Sequence, residues 1–202
     1  MYKNKPLGEY LNDLAAKAPT PGGGSAAALS ASIGVALMSM VANYTIGNPK
    51  YKASEEKTAD ILIRSENYRT ELQNLIDKDV EAYEKLLRGT KSAGGNAGVP
   101  DQLYKDAMTP PFEVCKIASE ALKLCKLLAL CGNKNLITDT AIAAILLEGA
   151  FFSAKFNVYA NLKYIKDIDF VGSVHKHLAP LEESMPELKE EILELCEDAI
   201  KG

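Results

Sequence analysis

Apolar residues recur along most of the chain at intervals of three and four, which is the spacing of an amphipathic α-helix. No segment alternates apolar and polar residues in the way of a half-buried β-strand. The predicted helices cover, in chain order, residues 7–15, 25–45, 54–87, 109–131, 139–165 and 184–200, and residues 88–101 are predicted to form a loop. We therefore expect an all-α fold, a single-domain helical bundle over residues 1–202 around its second helix.

The predicted helix starts rest on capping residues, because Ser, Thr, Asp, Asn and Gly satisfy the free N–H groups of a first turn. The expected N-caps of the second, fourth and fifth helices are Gly24 or Ser25, Thr109, and Thr138 or Asp139. Pro110 would then lie in a first turn, where proline is tolerated. A capping box at residues 184–187 predicts the start of the last helix.

The second helix raises the question of a membrane span, because residues 18–49 contain no Asp, Glu, Lys or Arg. Its most apolar part, residues 26–41, is shorter than the ~20 residues that cross a bilayer, and serine and glycine dilute it. A helix rich in Ala, Ser and Gly suits the middle of a bundle. We expect a buried central helix and no membrane.

The overall composition excludes several classes of function. Hydrophobic residues make up 47% of the chain and the net charge is −4, so a globular fold is expected and nucleic acid is not a favoured partner. The four cysteines show no Cys-x-x-Cys spacing, and no secretory signal opens the chain, which favours a cytoplasmic protein with reduced thiols. The only histidines, His175 and His177, would not share a helix face, so we expect no metal site and no histidine-activated nucleophile.

A Pro-Thr-Pro-Gly-Gly-Gly-Ser turn at residues 19–25 precedes the second helix. Free backbone N–H groups and the helix dipole make such a turn a site for anions or carbonyl oxygens. It is not a P-loop, which needs a lysine, and it lacks the preceding strand of a dinucleotide-binding turn. A simple hinge between two helices remains the alternative. The candidate ligand-binding residues are Pro21, Gly22, Gly23, Gly24 and Ser25.

Asp79 lies in the middle of the apolar face of the third helix, between Ile76 and Tyr83, whereas Asp77 is expected on the opposite, charged face. Burying an unpaired carboxylate costs several kcal/mol. One interpretation is a structural aspartate that accepts backbone N–H groups. The other is a carboxylate with a raised pKa that transfers protons or holds a polar ligand, and we favour it because no neighbour on that face can pair with Asp79.

Two further polar sets fall on apolar helix faces. Asn157 and Asn161 share one face of the fifth helix, and Asp139 projects in the same direction from its first turn, where capping alone would favour an acid. Because Asp139 and Asn157 are separated by ~27 Å of helix, they can serve one small site only if a second subunit or a long ligand bridges them. On the second helix, Asn43 continues a stripe of serines, a weaker signal because buried serines often bond their own helix.

These residues together resemble the cyclodeaminase/cyclohydrolase family, which includes the C-terminal half of formiminotransferase-cyclodeaminase and stand-alone methenyltetrahydrofolate cyclohydrolases. The resemblance covers residues 7–167 and is most specific in the glycine turn. The matching segments are residues 19–28, Met40-Val41, Thr45-x-Gly47, Asp79-x-x-Ala82-Tyr83, Gly132-Asn133 to Asp139, and Asn157-Val158 with Asn161-Leu162. Asn48-Pro49 stands where the resemblance leads us to expect a lysine, so Lys50 is the candidate contact for a folate glutamate tail.

The resemblance implies an all-helical homodimer that needs no metal and no cofactor beyond its tetrahydrofolate substrate, which carries one or several glutamates. It assigns Asp79 and Asp139 to proton transfer and pterin anchoring in an order left open. It assigns Asn43, Tyr83, Asn157, Asn161 and the glycine turn to substrate binding.

The function that we expect is hydrolysis of 5,10-methenyltetrahydrofolate to 10-formyltetrahydrofolate. The alternative within the family is a cyclodeaminase that closes 5-formiminotetrahydrofolate with loss of ammonia. The alternative from another class is a non-catalytic helical module that binds folate or a protein.

Overall fold

The computed structural model describes residues 1–201, and within them the chain forms helices and turns without a β-strand. The α-helices are α1 (Leu7–Ala15), α2 (Gly23–Thr45), α3 (Glu55–Ser92), α4 (Asp101–Cys131), α5 (Ile137–Leu162) and α6 (Ile168–Lys201). Short 3₁₀ turns lie at Tyr2–Asn4, Pro49–Ser54, Asn96–Gly98 and Lys134–Leu136. The predicted all-α class is therefore confirmed.

The core forms where α2 packs against α3, α4 and α5, and α6 covers the outer side of α4 and α5. Its largest fully buried side chains come from five helices, which ties them into one hydrophobic core. They include Met38, Leu72, Leu122, Phe151 and Leu178.

Three helix boundaries predicted from the sequence are wrong, and all three err by ending a helix too early or starting it too late. Helix α3 continues to Ser92, helix α4 already begins at Asp101 and contains Pro110, and α6 begins at Ile168 rather than at a capping box. A proline inside a helix costs about 3 kcal/mol. Buried side chains on the N-terminal side of the prolines, such as Tyr104 in α4, offset that cost through packing.

The predicted N-caps are wrong as well. Gly22 is the N-cap of α2, Pro100 that of α4 and Leu136 that of α5, and none of them makes a side-chain capping bond. Asp139 accordingly lies inside the first turn of α5, where the helix dipole stabilises a carboxylate.

The prediction that α2 is buried all round holds for only part of its surface. Its serines at positions 25, 32 and 39 are buried, whereas Ile33 and Tyr44 are 46% and 64% exposed. Helix α5 exposes Ile145 and Phe156 in the same way. Both helices are long and apolar enough to cross a membrane by length and composition alone. We call the exposed stripe of these two helices the α2–α5 face, formed by Leu29, Ile33, Ala36, Leu37, Met40, Tyr44, Ile142, Ile145, Gly149, Phe152 and Phe156.

Asp77 is buried rather than exposed on the charged side of α3, which corrects the sequence prediction. The N-terminal 3₁₀ turn folds over this part of α3, and the backbone N–H of Tyr2 donates to Asp77 Oδ1. Helical periodicity could not reveal this cover, because it comes from a segment 75 residues away in sequence.

Candidate active site

A cavity of about 460 Å³ lies between the N-terminal end of α2, the second half of α3, the start of α4 and the C-terminal end of α5. Its wall is polar at the glycine turn, at Asp79 of α3 and at α5, and mostly aliphatic or aromatic along the rest of α3 and α4. The lining residues are Pro19, Thr20, Gly22, Gly23, Gly24, Asp79, Tyr83, Leu86, Leu87, Thr90, Asn96, Tyr104, Ala107, Asn157, Ala160, Asn161 and Tyr164. A volume of this size holds a small organic molecule.

The glycine turn brings the free N-terminal end of α2 to this cavity. The Thr20–Pro21 peptide is cis, Pro21 is buried beneath the turn, and the helix begins at Gly23. The backbone N–H of Ser25 lies in the first turn of α2, where it has no partner within the helix. It donates instead to Asp79 Oδ2 at 2.8 Å.

Ser25 itself lies behind the cavity wall rather than in it. Its side chain is fully buried, and its Oγ shares a hydrogen bond of 3.1 Å with the hydroxyl of Tyr10 from α1. The predicted binding residue Ser25 therefore reaches the cavity through its backbone contact with Asp79 and not through its hydroxyl.

Asp79 rests directly on the backbone of Gly24. A Cβ built on Gly24 would overlap Oδ1 of Asp79 and lie 2.7 Å from its Cγ, a separation that real Cβ atoms do not show. Only glycine at position 24 leaves room for the carboxylate in this position, so the third glycine of the turn is needed for close approach and not merely for a bend.

Both interpretations of Asp79 from the sequence find support in its surroundings. Its Oδ2 has a backbone partner, as expected for a structural aspartate, while its Oδ1 has no hydrogen-bond partner within residues 1–201. Burial raises the pKa of Asp79 from 3.8 to about 6, because desolvation outweighs the opposing effect of the Ser25 N–H. A carboxyl with such a pKa gains and loses a proton near neutral pH, as a general acid or base must.

Asn157 and Asn161 face the cavity from the last turns of α5. Each amide nitrogen donates to a carbonyl of its own helix, that of Ser153 at 3.0 Å and that of Asn157 at 2.9 Å. Their side-chain oxygens have no partner within the described part of the chain and can accept hydrogen bonds from a ligand. Asn157 also borders the glycine turn, since its Nδ2 would lie 3.4 Å from a Cβ on Gly23.

The opposite wall contains an aromatic pair that the sequence analysis missed. Tyr104 and Tyr164 stack with ring centroids 5.0 Å apart and planes inclined by 20°. The hydroxyl of Tyr104 donates to Asn96 Oδ1 at 3.0 Å, which fixes the ring in place. The apolar spacing of Tyr104, Ala107 and Met108 could have shown that α4 begins before Thr109.

Three predicted site residues lie far from the cavity, at the other end of the α2–α5 pair. Asn43 is exposed near the end of α2, Lys50 is exposed in the following 3₁₀ turn, and Asp139 is half-buried at the start of α5. The lengths of α2 and α5 put roughly 30 Å between the two ends. The structure therefore does not bring Asp139 and Asp79 together within one subunit.

The lining contains a carboxylate, three carboxamides and three tyrosines, but no lysine or arginine. Among residues 1–201 no three His, Cys, Asp or Glu side chains cluster in the manner of a metal site. A carboxyl of raised pKa that lies on a helix N-terminus inside a small-molecule cavity is an arrangement that acid–base enzymes use.

The chain belongs to the formiminotransferase-cyclodeaminase family, whose model, described as "Formiminotransferase-cyclodeaminase", matches residues 6–180. The methenyltetrahydrofolate cyclohydrolase of Methylorubrum extorquens is 33% identical over 99% of this chain and 100% of its own length. The formimidoyltransferase-cyclodeaminase of Sus scrofa is 28% identical over 88% of this chain, which spans 34% of that longer protein.

A solved structure shares the whole fold. The formiminotetrahydrofolate cyclodeaminase of Thermotoga maritima superposes with a TM-score of 0.85 at 30% sequence identity, covering 100% of this chain and 98% of that one. The family and fold expected from the sequence motifs are thus confirmed.

Proposed function

We propose that the protein is an enzyme that hydrolyses 5,10-methenyltetrahydrofolate to 10-formyltetrahydrofolate. The observation that carries this proposal is the carboxyl of Asp79, held on the N-terminus of α2 inside the cavity with its pKa raised to about 6. The cyclohydrolase relative is 33% identical and aligns over its entire length, which supports this reaction.

The reaction requires a group that stabilises the positive charge of the substrate and transfers protons. The methenyl bridge between N5 and N10 is an amidinium-like cation, so a carboxylate close to it is attractive in a cavity of low dielectric. Asp79 accepts a proton from the water that adds to the bridge carbon. It returns this proton to N5 as the bond between that carbon and N5 breaks. The remaining hydroxyl proton of the adduct leaves to solvent as the C=O bond forms, so the formyl group stays on N10 and one proton is released overall.

The remaining lining residues fit the parts of the substrate on either side of the bridge. The free oxygens of Asn157 and Asn161 suit the N–H groups of a pterin. The Tyr104–Tyr164 pair and the leucines beside it suit an aromatic ring. We assign the p-aminobenzoyl ring to this wall, with Tyr83 at its edge.

The second candidate is ring closure of 5-formiminotetrahydrofolate with release of ammonia, which the full-length similarity to the Thermotoga maritima cyclodeaminase favours. The same carboxyl would protonate the departing nitrogen. A folate-binding module without catalysis would bind both compounds and convert neither.

One experiment separates these candidates. The near-ultraviolet absorbance of methenyltetrahydrofolate is followed with and without the protein in a buffer in which spontaneous hydrolysis is slow. Ammonia release from formiminotetrahydrofolate is measured in parallel. Accelerated loss of absorbance supports the cyclohydrolase, and ammonia release alone supports the cyclodeaminase. Binding of both compounds without either reaction would refute both enzymatic proposals.

We further propose that the protein is a cytoplasmic homodimer that acts on mono- or polyglutamylated tetrahydrofolate without metal or added cofactor, and that nucleic acid and membranes are not its partners. The α2–α5 face supports the dimer, since it exposes a continuous row of large apolar side chains. Ile145→Glu should give a monomer in light scattering, whereas Ile63→Glu, at an isolated exposed position on α3, should not. A monomeric wild type would refute the dimer.

A further inference from the structure

Helix α1 buries a single side chain, that of Tyr10. Only 4% of Tyr10 is exposed, whereas Leu7 and Leu11 of the same helix are 60% and 49% exposed. A helix of nine residues is too short to be stable by itself, so its contacts with the rest of the fold decide where it forms. The surroundings of Tyr10 therefore indicate what α1 contributes to the protein.

Tyr10 contacts the first turn of α2 from behind the cavity wall. Its hydroxyl lies 3.1 Å from Ser25 Oγ, and the N–H of the same serine donates to Asp79 Oδ2 at 2.8 Å. Within residues 1–201 the bond between Tyr10 and Ser25 is the only hydrogen bond that either hydroxyl makes. Because a buried hydroxyl without a partner is costly, each of the two hydroxyls fixes the position of the other.

The N-terminal segment holds Tyr10 in this position. The ring of Tyr2 packs edge-on against that of Tyr10, with centroids 5.4 Å apart and planes inclined by 85°. The Tyr2 N–H donates to Asp77 of α3. Lys3 Nζ donates to Asn74 Oδ1 of the same helix at 2.7 Å. Tyr10 is thus linked both to the helix that carries the acid and to the helix whose N-terminus meets it.

The Ser25 N–H is the contact that stabilises the charged form of Asp79. Desolvation raises the pKa of Asp79 to about 6, and the hydrogen bond from Ser25 opposes this rise. A movement of the first turn of α2 that lengthened or bent this bond would weaken it. The pKa of Asp79 would then rise further.

The other titratable groups around Asp79 are tyrosines, which are neutral near pH 6. They are Tyr10 on α1, Tyr83 on α3, Tyr104 on α4 and Tyr164 on α5. No other charged side chain lines the cavity or contributes to the pKa of Asp79 within the described part of the chain. The titration of Asp79 therefore reports its hydrogen bond and its burial.

We propose that Tyr10 is a positioning residue for the acid–base group of the active site. Through the Ser25 hydroxyl it holds the first turn of α2, and with it the Ser25 N–H, against the carboxyl of Asp79. This inference rests on the proposed function, in which Asp79 transfers the proton, but the positioning itself can be tested without a substrate.

An NMR titration of protein isotope-labelled at the aspartate carboxyl carbons measures the pKa of Asp79, whose signal is assigned by its absence in Asp79→Asn. Tyr10→Phe keeps the buried ring and removes only the hydroxyl. It should raise the midpoint of the Asp79 titration by roughly 0.5 to 1 pH unit, since complete loss of a hydrogen bond to a charged group corresponds to about one to two units. Ser25→Ala breaks the same contact from the other side and should raise the midpoint equally.

The double variant Tyr10→Phe/Ser25→Ala distinguishes this role from general stabilisation. Because both substitutions break one contact, their effects on the midpoint should not add. Tyr51→Phe is the matched control, since it removes a hydroxyl that accepts the Lys134 N–H at 2.9 Å beyond the other end of α2. It should leave the Asp79 midpoint unchanged. Circular dichroism confirms that each variant is folded.

Turnover gives a second readout. A higher pKa leaves less deprotonated Asp79 at low pH, so kcat/KM of Tyr10→Phe for methenyltetrahydrofolate should be about 3- to 10-fold below wild type near about pH 5 and approach it near about pH 8. A loss by the same factor at every pH would show structural support alone and would overturn the proposal.

An unchanged or lowered Asp79 midpoint in folded Tyr10→Phe, or shifts that add in the double variant, would also overturn it. A wild type inactive on both folates would refute the proposed function alone, because the shift of the Asp79 midpoint does not depend on turnover.

Discussion

Asp79 occupies the space that any side chain at position 24 would need, since a Cβ on Gly24 would lie 2.7 Å from Asp79 Cγ and 2.9 Å from its Oδ2. The same carboxylate receives the Ser25 N–H at 2.8 Å. The glycine turn and the acid of α3 are therefore one unit, in which the absence of a side chain determines where the carboxyl lies. Each part was recognised in the sequence, but their contact was not.

The contact between Gly24 and Asp79 can be tested by substitution of the glycine. Gly24→Ala should lower kcat by roughly 10²-fold or more, because the new methyl group displaces the carboxyl by more than an ångström. Helix propensity alone would favour alanine by about 1 kcal/mol, so a loss of activity cannot be attributed to a weaker helix. Gly8→Ala in α1, where a Cβ meets nothing within 4 Å, is the matched control and should retain wild-type activity. An active Gly24→Ala variant would contradict the requirement for the carboxyl of Asp79 to lie against Gly24.

The raised pKa of Asp79 also predicts how stability depends on pH. In the folded protein the pKa is about 6 against 3.8 for the free side chain, so the folded state holds a proton that the unfolded state has lost between these values. The contribution of Asp79 to stability is complete below about pH 4 and is lost as the pH rises through about 6.

Asp79→Asn keeps an acceptor for the Ser25 N–H and removes the buried charge. The variant should therefore be more stable than the wild type at pH 7.5, by at most roughly 3 kcal/mol, and equal to it near about pH 4. Thermal unfolding at both pH values measures this difference. A variant less stable at pH 7.5 would show that the charged form of Asp79 stabilises the fold.

The pH dependence of turnover tests the same group in its chemical role. Because the deprotonated carboxyl accepts the proton of the attacking water, kcat/KM for methenyltetrahydrofolate hydrolysis, which reports the pKa values of the free enzyme, should rise between about pH 5 and about pH 7 with a midpoint near the pKa of about 6. Rates are corrected for spontaneous hydrolysis at each pH. A flat profile over this range would assign the proton transfer to another group. The same conclusion would follow if the residual activity of Asp79→Asn kept the midpoint of the wild type.

The aromatic wall predicts an effect on binding rather than on chemistry. Tyr164→Leu removes the ring stacked on Tyr104. The variant should raise KM about 2- to 12-fold, which corresponds to the free energy of one aromatic contact, and should change kcat less than about twofold. Tyr68→Leu on α3, outside the cavity lining, serves as the control. A lower kcat at unchanged KM would show that Tyr164 acts on the transition state instead.

Local patterns in the sequence predicted the features that depend on local physics. The helices follow from apolar periodicity, and Asp79 is conspicuous because a charge interrupts an apolar stripe. The start of α4 could not be predicted from Thr109 and Pro110. The helix continues on the N-terminal side of the prolines because burial of Tyr104 against distant parts of the chain offsets their cost.

The part of the site that the sequence did not reveal depends on contacts between residues far apart in the sequence. Tyr104 and Tyr164 are 60 residues apart and meet only when the start of α4 packs against the end of α5. Asp77 was misplaced for the same reason, because its cover is the N-terminal turn. Asp139 and Asn157 share a helix face as predicted, but their separation along α5 keeps them from sharing a site within one subunit.

The role of Asp79 is tested most directly by the turnover of methenyltetrahydrofolate by wild type and Asp79→Asn, compared by the loss of near-ultraviolet absorbance at pH 7.5. Circular dichroism establishes first that both are folded. We expect catalysis by the wild type and a kcat lowered by about 10²- to 10⁴-fold in the variant, which is the usual contribution of a positioned acid–base group. A folded Asp79→Asn variant with wild-type turnover would contradict the central role of this carboxyl.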